Sequence, residues 1–259
     1  MLFQIKSYFK FLWHSKNEHG VHSPFVYCLL TKCFYDKAEK AHYQVLSNYR
    51  NAFLQNKTTI EVTDFGAGSR VFKSNKRQIS NIAQTAGISK KRAQLLYRIV
   101  AYFESKNILE IGTSLGLASS ALALGNQEAS IITLEGCPET VKIAQNQFSQ
   151  FGLTNINSVL IEFNSYLNNF RLSKSSFQLI YFDGNHSKKA TLDYFELLLP
   201  TITNETVWIF DDIHWSSAME EAWKIIKNHP RVTITIDTFQ WGLVFFRHEQ
   251  RKEHFVIRI

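Results

Sequence analysis

The chain has 259 residues, 45% hydrophobic and 20% charged, which is enough apolar content to bury a full core and too much for a disordered segment. No apolar run reaches membrane-spanning length, the opening MLFQIKSYFKFLWHSK has no small-residue cleavage site, and Cys28, Cys33 and Cys137 are too few for a disulfide framework, so a cytoplasmic protein with reduced thiols is expected. The formal charge of +7 is uneven: residues 1–90 carry 13 Lys/Arg against 5 Asp/Glu, leaving 16 against 17 for the rest.

A basic third can dock polynucleotide, but these cations are dispersed, the closest group being Lys73, Lys76 and Arg77. A solvated basic face is the plainer reading, and nucleic acid is not the expected partner. The chain opens on an aromatic amphipathic helix bearing Phe3, Tyr8, Phe9, Phe11 and Trp13. Ordinary packing is its first reading, with a homodimer contact or a membrane-surface helix as the alternatives. A turn at His19 to Pro24, a mixed helical stretch and a polar loop from Gln55 to Arg77 follow. Residues 1–90 thus read as a mainly helical cap, and 91–259 as the main domain. Within the polar loop, Asp64-Phe65-Gly66-Ala67-Gly68-Ser69 imitates a nucleotide turn, but no apolar helix and no acid-ended strand follow it, so it reads as a structural turn.

From about residue 90, strands and helices alternate in short steps, the pattern of a doubly wound, Rossmann-like α/β sheet. Seven strands are expected, at 108–111, 130–135, 156–161, 177–182, 206–210, 232–236 and 242–246. Helices are expected at 117–124, 138–151, 188–199 and 217–228. Only Asp237 to Trp241 joins the last two strands, so they should form an antiparallel hairpin at one sheet edge.

The first of these strands ends in NILEIGTSLG, Asn107 to Gly116, and the second ends in TLE at Glu135. A strand, a glycine turn and an Ala/Leu-rich helix make a nucleotide-binding crossover, in which a carboxylate at the second strand end can accept ribose hydroxyls. Three ligand readings compete. A phosphate loop would need Gly-Lys-Ser/Thr where Gly116 is followed by Leu117-Ala118-Ser119. A dinucleotide turn prefers GxGxxG, whereas here the spacing is Gly112-xxx-Gly116. Glu110, two places before the turn, suits an ammonium-bearing ligand, which favours S-adenosylmethionine.

Two further strands end in acids: Phe182-Asp183-Gly184-Asn185-His186 and Phe210-Asp211-Asp212-Ile213-His214. Their carboxyl ends are neighbours in a parallel sheet, at the edge where ligands bind. Converging carboxylates need a cation between them, and a hard divalent ion such as magnesium suits oxygen donors from separate loops. The plain alternative is that Asp211 and Asp212 cap the helix beginning near Ser216. His186 and His214 are candidate bases or metal ligands within reach of the same point, with a pocket or packing role the plainer reading of His214.

LEIGTSLG, TLEGCPETVKIA, LIYFDGNHSKKATLDYFELLLP and IFDDIHWS resemble the class I S-adenosylmethionine-dependent O-methyltransferases of the catechol and caffeoyl-CoA type and related bacterial enzymes, over roughly residues 88–247. The resemblance implies that Gly112, Thr113, Ser114 and Gly116 wrap the methionine moiety, that Glu110 faces its amino group and that Glu135, with Gly136, holds the ribose. It places Phe163 beside the adenine, sets Asp183 against the cofactor as well, and makes Asp183, Asp211 and Asp212 metal ligands. Position 186, usually lysine in that family, carries the general base, here His186 with Asp183. The chain departs from the family at Ala118, where a serine is common, so Ser114 or Ser119 would serve the cofactor carboxylate instead. The expected activity is methyl transfer to a hydroxyl of a small molecule. Methylation of RNA through the basic third, and a non-catalytic cofactor-binding module, are the alternatives.

Overall fold

The computed structural model describes residues 2–63, 68, 72–173 and 175–259. Most of the turn-like motif at Asp64-Phe65-Gly66-Ala67 and Ser69 therefore lies outside the described residues. The chain divides into two compact units, one formed by residues 1–35 with 164–259 and the other by residues 36–163.

The first unit begins with α1 (Leu2–His14) and α2 (Pro24–Leu29), the latter capped by Ser23 with proline at its first position and continued by a π-helical turn, Leu30–Phe34. α1 packs through Ser7 and Phe11, which are buried.

Residues 36–163 then supply α3 (His42–Gln55), a small antiparallel pair β1 (Thr59–Glu61) and β2 (Lys76–Gln78), α4 (Ile79–Thr85) and α5 (Lys90–Phe103). Ser89 caps α5, and Glu104 ends it in the left-handed region. The strand–helix alternation follows as β3 (Asn107–Ile111), α6 (Leu117–Gly125), β4 (Ser130–Glu135), α7 (Pro138–Gln150) and β5 (Ile156–Leu160). β3, β4 and β5 pair in parallel in that order. Ile108 to Ile111 are all buried, as expected of a strand covered on both faces. Every residue of α6 from Leu117 to Leu124 is buried too, which explains its run of small and apolar side chains.

α8 (Phe163–Leu172) leads into the larger sheet of the first unit. There β6 (Leu179–Phe182), α9 (Lys188–Leu198), β7 (Val207–Asp211), α10 (Ser217–Asn228), β8 (Ile234–Asp237), β9 (Trp241–Phe245) and β10 (Glu253–Val256) follow in sequence. The strand order is β10-β8-β9-β7-β6. β6 and β7 are parallel, and β9 runs antiparallel to both β7 and β8, so β6, β7 and β8 share one carboxyl edge. The antiparallel hairpin is present, but an eighth strand, β10, lies outside β8 and pairs with it in parallel. The hairpin is therefore not the edge of this sheet. Aromatic stacking fills the core, with Phe182 and Phe210 rings 4.1 Å apart and Trp208 packed edge-on to Phe246 at 4.9 Å. The expected strands and helices are all found, with ends shifted by one or two residues, and together they form the doubly wound α/β fold.

Candidate active site

In residues 36–163 the turn after β3 is built as its spacing suggested. Gly112, Ser114 and Gly116 all have positive φ, at 103°, 48° and 72°. The amides of Gly112 and Thr113 both donate to the Leu134 carbonyl, which ties the turn to the end of β4. At Gly116 a side chain is excluded twice over. A Cβ there would sit 2.4 Å from the Phe148 ring and 2.8 Å from the Tyr49 hydroxyl, and the backbone is left-handed. Its glycine thus answers to packing within the fold as well as to turn geometry.

Glu135 is held where the motif placed it. One carboxylate oxygen accepts the Ser114 amide at 2.8 Å, and the other accepts the amides of Gly136 and Cys137, each at 2.9 Å. Three backbone donors fix the carboxylate at the strand end, with Ser114 and Gly136 contributing amides rather than side chains. Phe163 opens α8 two residues beyond Ile161.

Glu110 is wholly buried. Its Oε2 accepts the hydroxyls of Ser119 and Thr133, the latter at 2.5 Å, while Oε1 has no hydrogen-bond donor among the described residues. Burial pushes the carboxyl up to about 8; the Ser119 and Thr133 hydroxyls pull it back down, and the charge of Glu135 adds to the rise. Ser119, one of the two candidates for the cofactor carboxylate, is committed to Glu110 instead. Thr133 was not anticipated. It is the register partner of Glu110 on β4, so its side chain arrives through strand pairing, a relation invisible along the chain.

In the other unit, the carboxyl edge of β6, β7 and β8 gathers the remaining residues. His186 Nε2 lies 3.5 Å from Asp183 Oδ1, and both side chains are partly accessible, at 25% and 18%. Asp211 is buried; it accepts the Tyr181 hydroxyl at 3.0 Å through one oxygen and the Asp212 amide at 2.8 Å through the other. Asp212 itself has φ +53°. Neither acid caps α10, whose N-cap is Ser216, accepting the Met219 amide at 3.2 Å. Among the described residues, no group of three or more His, Cys, Asp and Glu side chains is arranged to hold a metal ion.

His214 is locked between two acids, with Nδ1 2.7 Å from Glu220 and Nε2 3.0 Å from Asp237, and its ring stacks on Phe239 at 5.1 Å. Burial works against its charge, but the hydrogen bonds and charges of Asp237 and then Glu220 prevail, so its pKa is raised. These contacts favour the charged form of the half-buried ring and tie α10 to the end of β8.

The family profile described as "Methyltransferase domain" matches residues 109–213. Residues 109–213 thus carry a methyltransferase domain. Among solved structures, this methyltransferase is similar to the S-adenosylhomocysteine-bound methyltransferase PaMTH1 of Podospora anserina, at 14% identity and a TM-score of 0.59, covering 86% of this chain and 93% of that one. It is similar to an O-methyltransferase of Bacillus cereus in complex with S-adenosylhomocysteine, at 17% identity and TM-score 0.56, covering 85% and 94%. A third likeness is to TomG of Streptomyces achromogenes, an O-methyltransferase of tomaymycin synthesis in complex with S-adenosylmethionine, at 14% identity and TM-score 0.57, covering 86% and 95%. Among curated proteins nothing matches the methyltransferase.

Proposed function

We propose that the methyltransferase moves the methyl group of S-adenosylmethionine to a hydroxyl of a small molecule. The observation that carries this reading is Glu110, a wholly buried carboxyl with one oxygen lacking a donor, two residues before a glycine turn whose Ser114 amide is held by an anchored Glu135. An ammonium near that oxygen would restore its charge, which neither a pyrophosphate nor a neutral ligand could do. The residues therefore fit the methionine end of the cofactor at Glu110, Gly112, Thr113, Ser114 and Gly116, and its ribose at Glu135 and Gly136, with Phe163 toward the adenine. The relatives bound to S-adenosylmethionine or its product support the same choice.

When bound, the cofactor supplies an electrophilic methyl on a sulfonium, so the protein's remaining work is alignment and deprotonation of the acceptor. His186, whose Nε2 lies 3.5 Å from Asp183 Oδ1, takes the acceptor proton. The reading assigns acceptor selection to residues 1–90, which lie wholly outside the matched stretch. No step is routed through a divalent cation, since among the described residues no three His, Cys, Asp or Glu side chains are grouped to hold one.

Calorimetric titration with S-adenosylhomocysteine is the direct test. Saturable binding lost in Glu135→Ala supports the cofactor assignment, and absence of binding to the wild type overturns it. Turnover on an accepted hydroxyl compound is expected to survive exhaustive EDTA treatment. Loss that magnesium restores would return Asp183, Asp211 and Asp212 to the role of metal ligands.

A further inference from the structure

α1 has two apolar faces. The inner one holds Ser7 and Phe11 against the body of its unit, and Tyr8 and Phe11 flank the Phe239 ring at 4.9 and 5.5 Å. At about 3.6 residues per turn, Leu2, Ile5, Phe9 and Trp13 fall on the opposite side, spaced three and four apart. These four are 78%, 47%, 66% and 88% exposed, and Trp13 is the most exposed large hydrophobic residue of those described. Scattered apolar residues at a surface need no explanation, but a continuous ridge along one helix face does.

The charge around this ridge is of one sign. Lys6 and Lys10 lie beside it on the helix and Lys16 just beyond, while residues 2–17 contain no Asp or Glu. Both lysines on the helix are exposed. A 13-residue helix is about 20 Å long, short of the roughly 30 Å hydrocarbon core of a bilayer, and no described helix is long and apolar enough to cross a membrane. An apolar ridge with a tryptophan and a flank of lysines suits a helix lying in the interface of an anionic bilayer. There the apolar side chains enter the acyl boundary and the lysines reach the headgroups.

We propose that α1 docks the methyltransferase reversibly on anionic lipid surfaces through Leu2, Ile5, Phe9 and Trp13, with Lys6, Lys10 and Lys16 as headgroup contacts. This placement is independent of the cofactor reading, since every residue it uses lies on α1 or just after it. It brings the enzyme to an interface where apolar acceptors concentrate.

The test is co-sedimentation of the full chain with vesicles of phosphatidylcholine alone or mixed with phosphatidylglycerol. Retention is expected on the mixed vesicles and not on phosphatidylcholine alone, weakened by added salt. Vesicle addition should shift tryptophan emission to the blue, and Trp13→Phe should abolish that shift. Partitioning is expected to fall by roughly tenfold or more in the double variant Phe9→Ser, Trp13→Ser and in the double variant Lys6→Glu, Lys10→Glu. An unchanged thermal midpoint would show that these exposed changes leave the fold intact. No retention of the wild type, or equal retention of the wild type and the Phe9→Ser, Trp13→Ser variant, overturns the proposal. So does lipid-free self-association in sedimentation velocity that the same variant abolishes, since the ridge would then belong to a second copy of the chain.

Discussion

Glu110 couples the chemistry of this site to pH. Because burial lifts its carboxyl to about 8, the group is mostly neutral at pH 7, and a cationic ligand re-ionises it. S-adenosylhomocysteine carries the same ammonium as the methyl donor, so its binding should release a proton and tighten as pH rises, levelling off above about 8. Titrations in buffers of different ionisation enthalpy measure the release directly. Glu110→Gln should remove both the proton release and the pH dependence, and weaken binding by roughly 2 kcal/mol. His186→Ala is expected to lower kcat by about a hundredfold or more while leaving S-adenosylhomocysteine binding unchanged. Equal loss of binding and turnover would assign His186 to the fold instead.

His214 gives a second pH effect, this time on stability. Its folded pKa lies above the ordinary 6.5, so its contribution is complete below pH 6.5 and is lost as pH rises through the folded value. Deprotonation leaves one ring nitrogen without a hydrogen, so one of Glu220 and Asp237 loses its bond. His214→Ala should cost about 3 kcal/mol near pH 6, because both acids then face each other without a cation, and the deficit should shrink in alkaline buffer. Urea denaturation across that range decides it. Its partners lie 6 and 23 positions away, and only the fold brings them together.

At the level of elements, two glycines make a controlled comparison. Gly116 opens α6 at φ +72°, and a Cβ would also strike Phe148. Gly242 sits within β9, where the nearest atoms a Cβ would meet are those of the Trp223 ring, from 2.6 Å. Gly116→Ala adds backbone strain to the clash and should destabilise by about 3 kcal/mol, against about 1–2 kcal/mol for Gly242→Ala. Thermal unfolding of the two variants ranks them. The strands that could be read in advance were those that are buried on both faces and therefore appear as unbroken apolar runs, such as Ile108 to Ile111 and Val207 to Phe210. β10 was not legible, because Glu253-His254-Phe255-Val256 is short, half exposed and made a strand by pairing with β8. α8 was missed although Phe163, Tyr166, Leu167 and Phe170 recur at helical spacing along it. In the site, Gly112, Gly116 and Glu135 could be read because turn chemistry is local. Ser119, Thr133 and Tyr181 could not, since each meets its acid through packing or strand register.

Across the whole molecule, backbone strain is concentrated where strands end. Of the five described non-glycine residues with positive φ, Ser114, Asn185, Asp212 and Phe239 follow the carboxyl ends of β3, β6, β7 and β8. Such residues hold only when their surroundings over-determine them, and here the supports are visible: Glu135 takes the Ser114 amide, and Asp237 takes the Phe239 amide at 2.8 Å. Replacing Ser114, Asn185 or Asp212 by glycine should therefore preserve or slightly raise stability while lowering kcat, a divergence that a paired melt and rate measurement would expose. The positive charge of the first 90 residues is a separate feature, and α1 concentrates part of it beside an apolar ridge.

The pairing around β10 also sets an order of events during synthesis. The Lys16 amide donates to the Val256 carbonyl at 2.8 Å, and the Arg258 amide donates back to the Lys16 carbonyl at 3.1 Å, so the segment after α1 bonds to residues made far later. The unit of residues 36–163 is contiguous and has all its internal partners once Phe163 has left the ribosome. The unit that contains α1 must wait until Ile257 emerges, and through that interval its aromatic first helix travels unpaired, where chaperones can engage it.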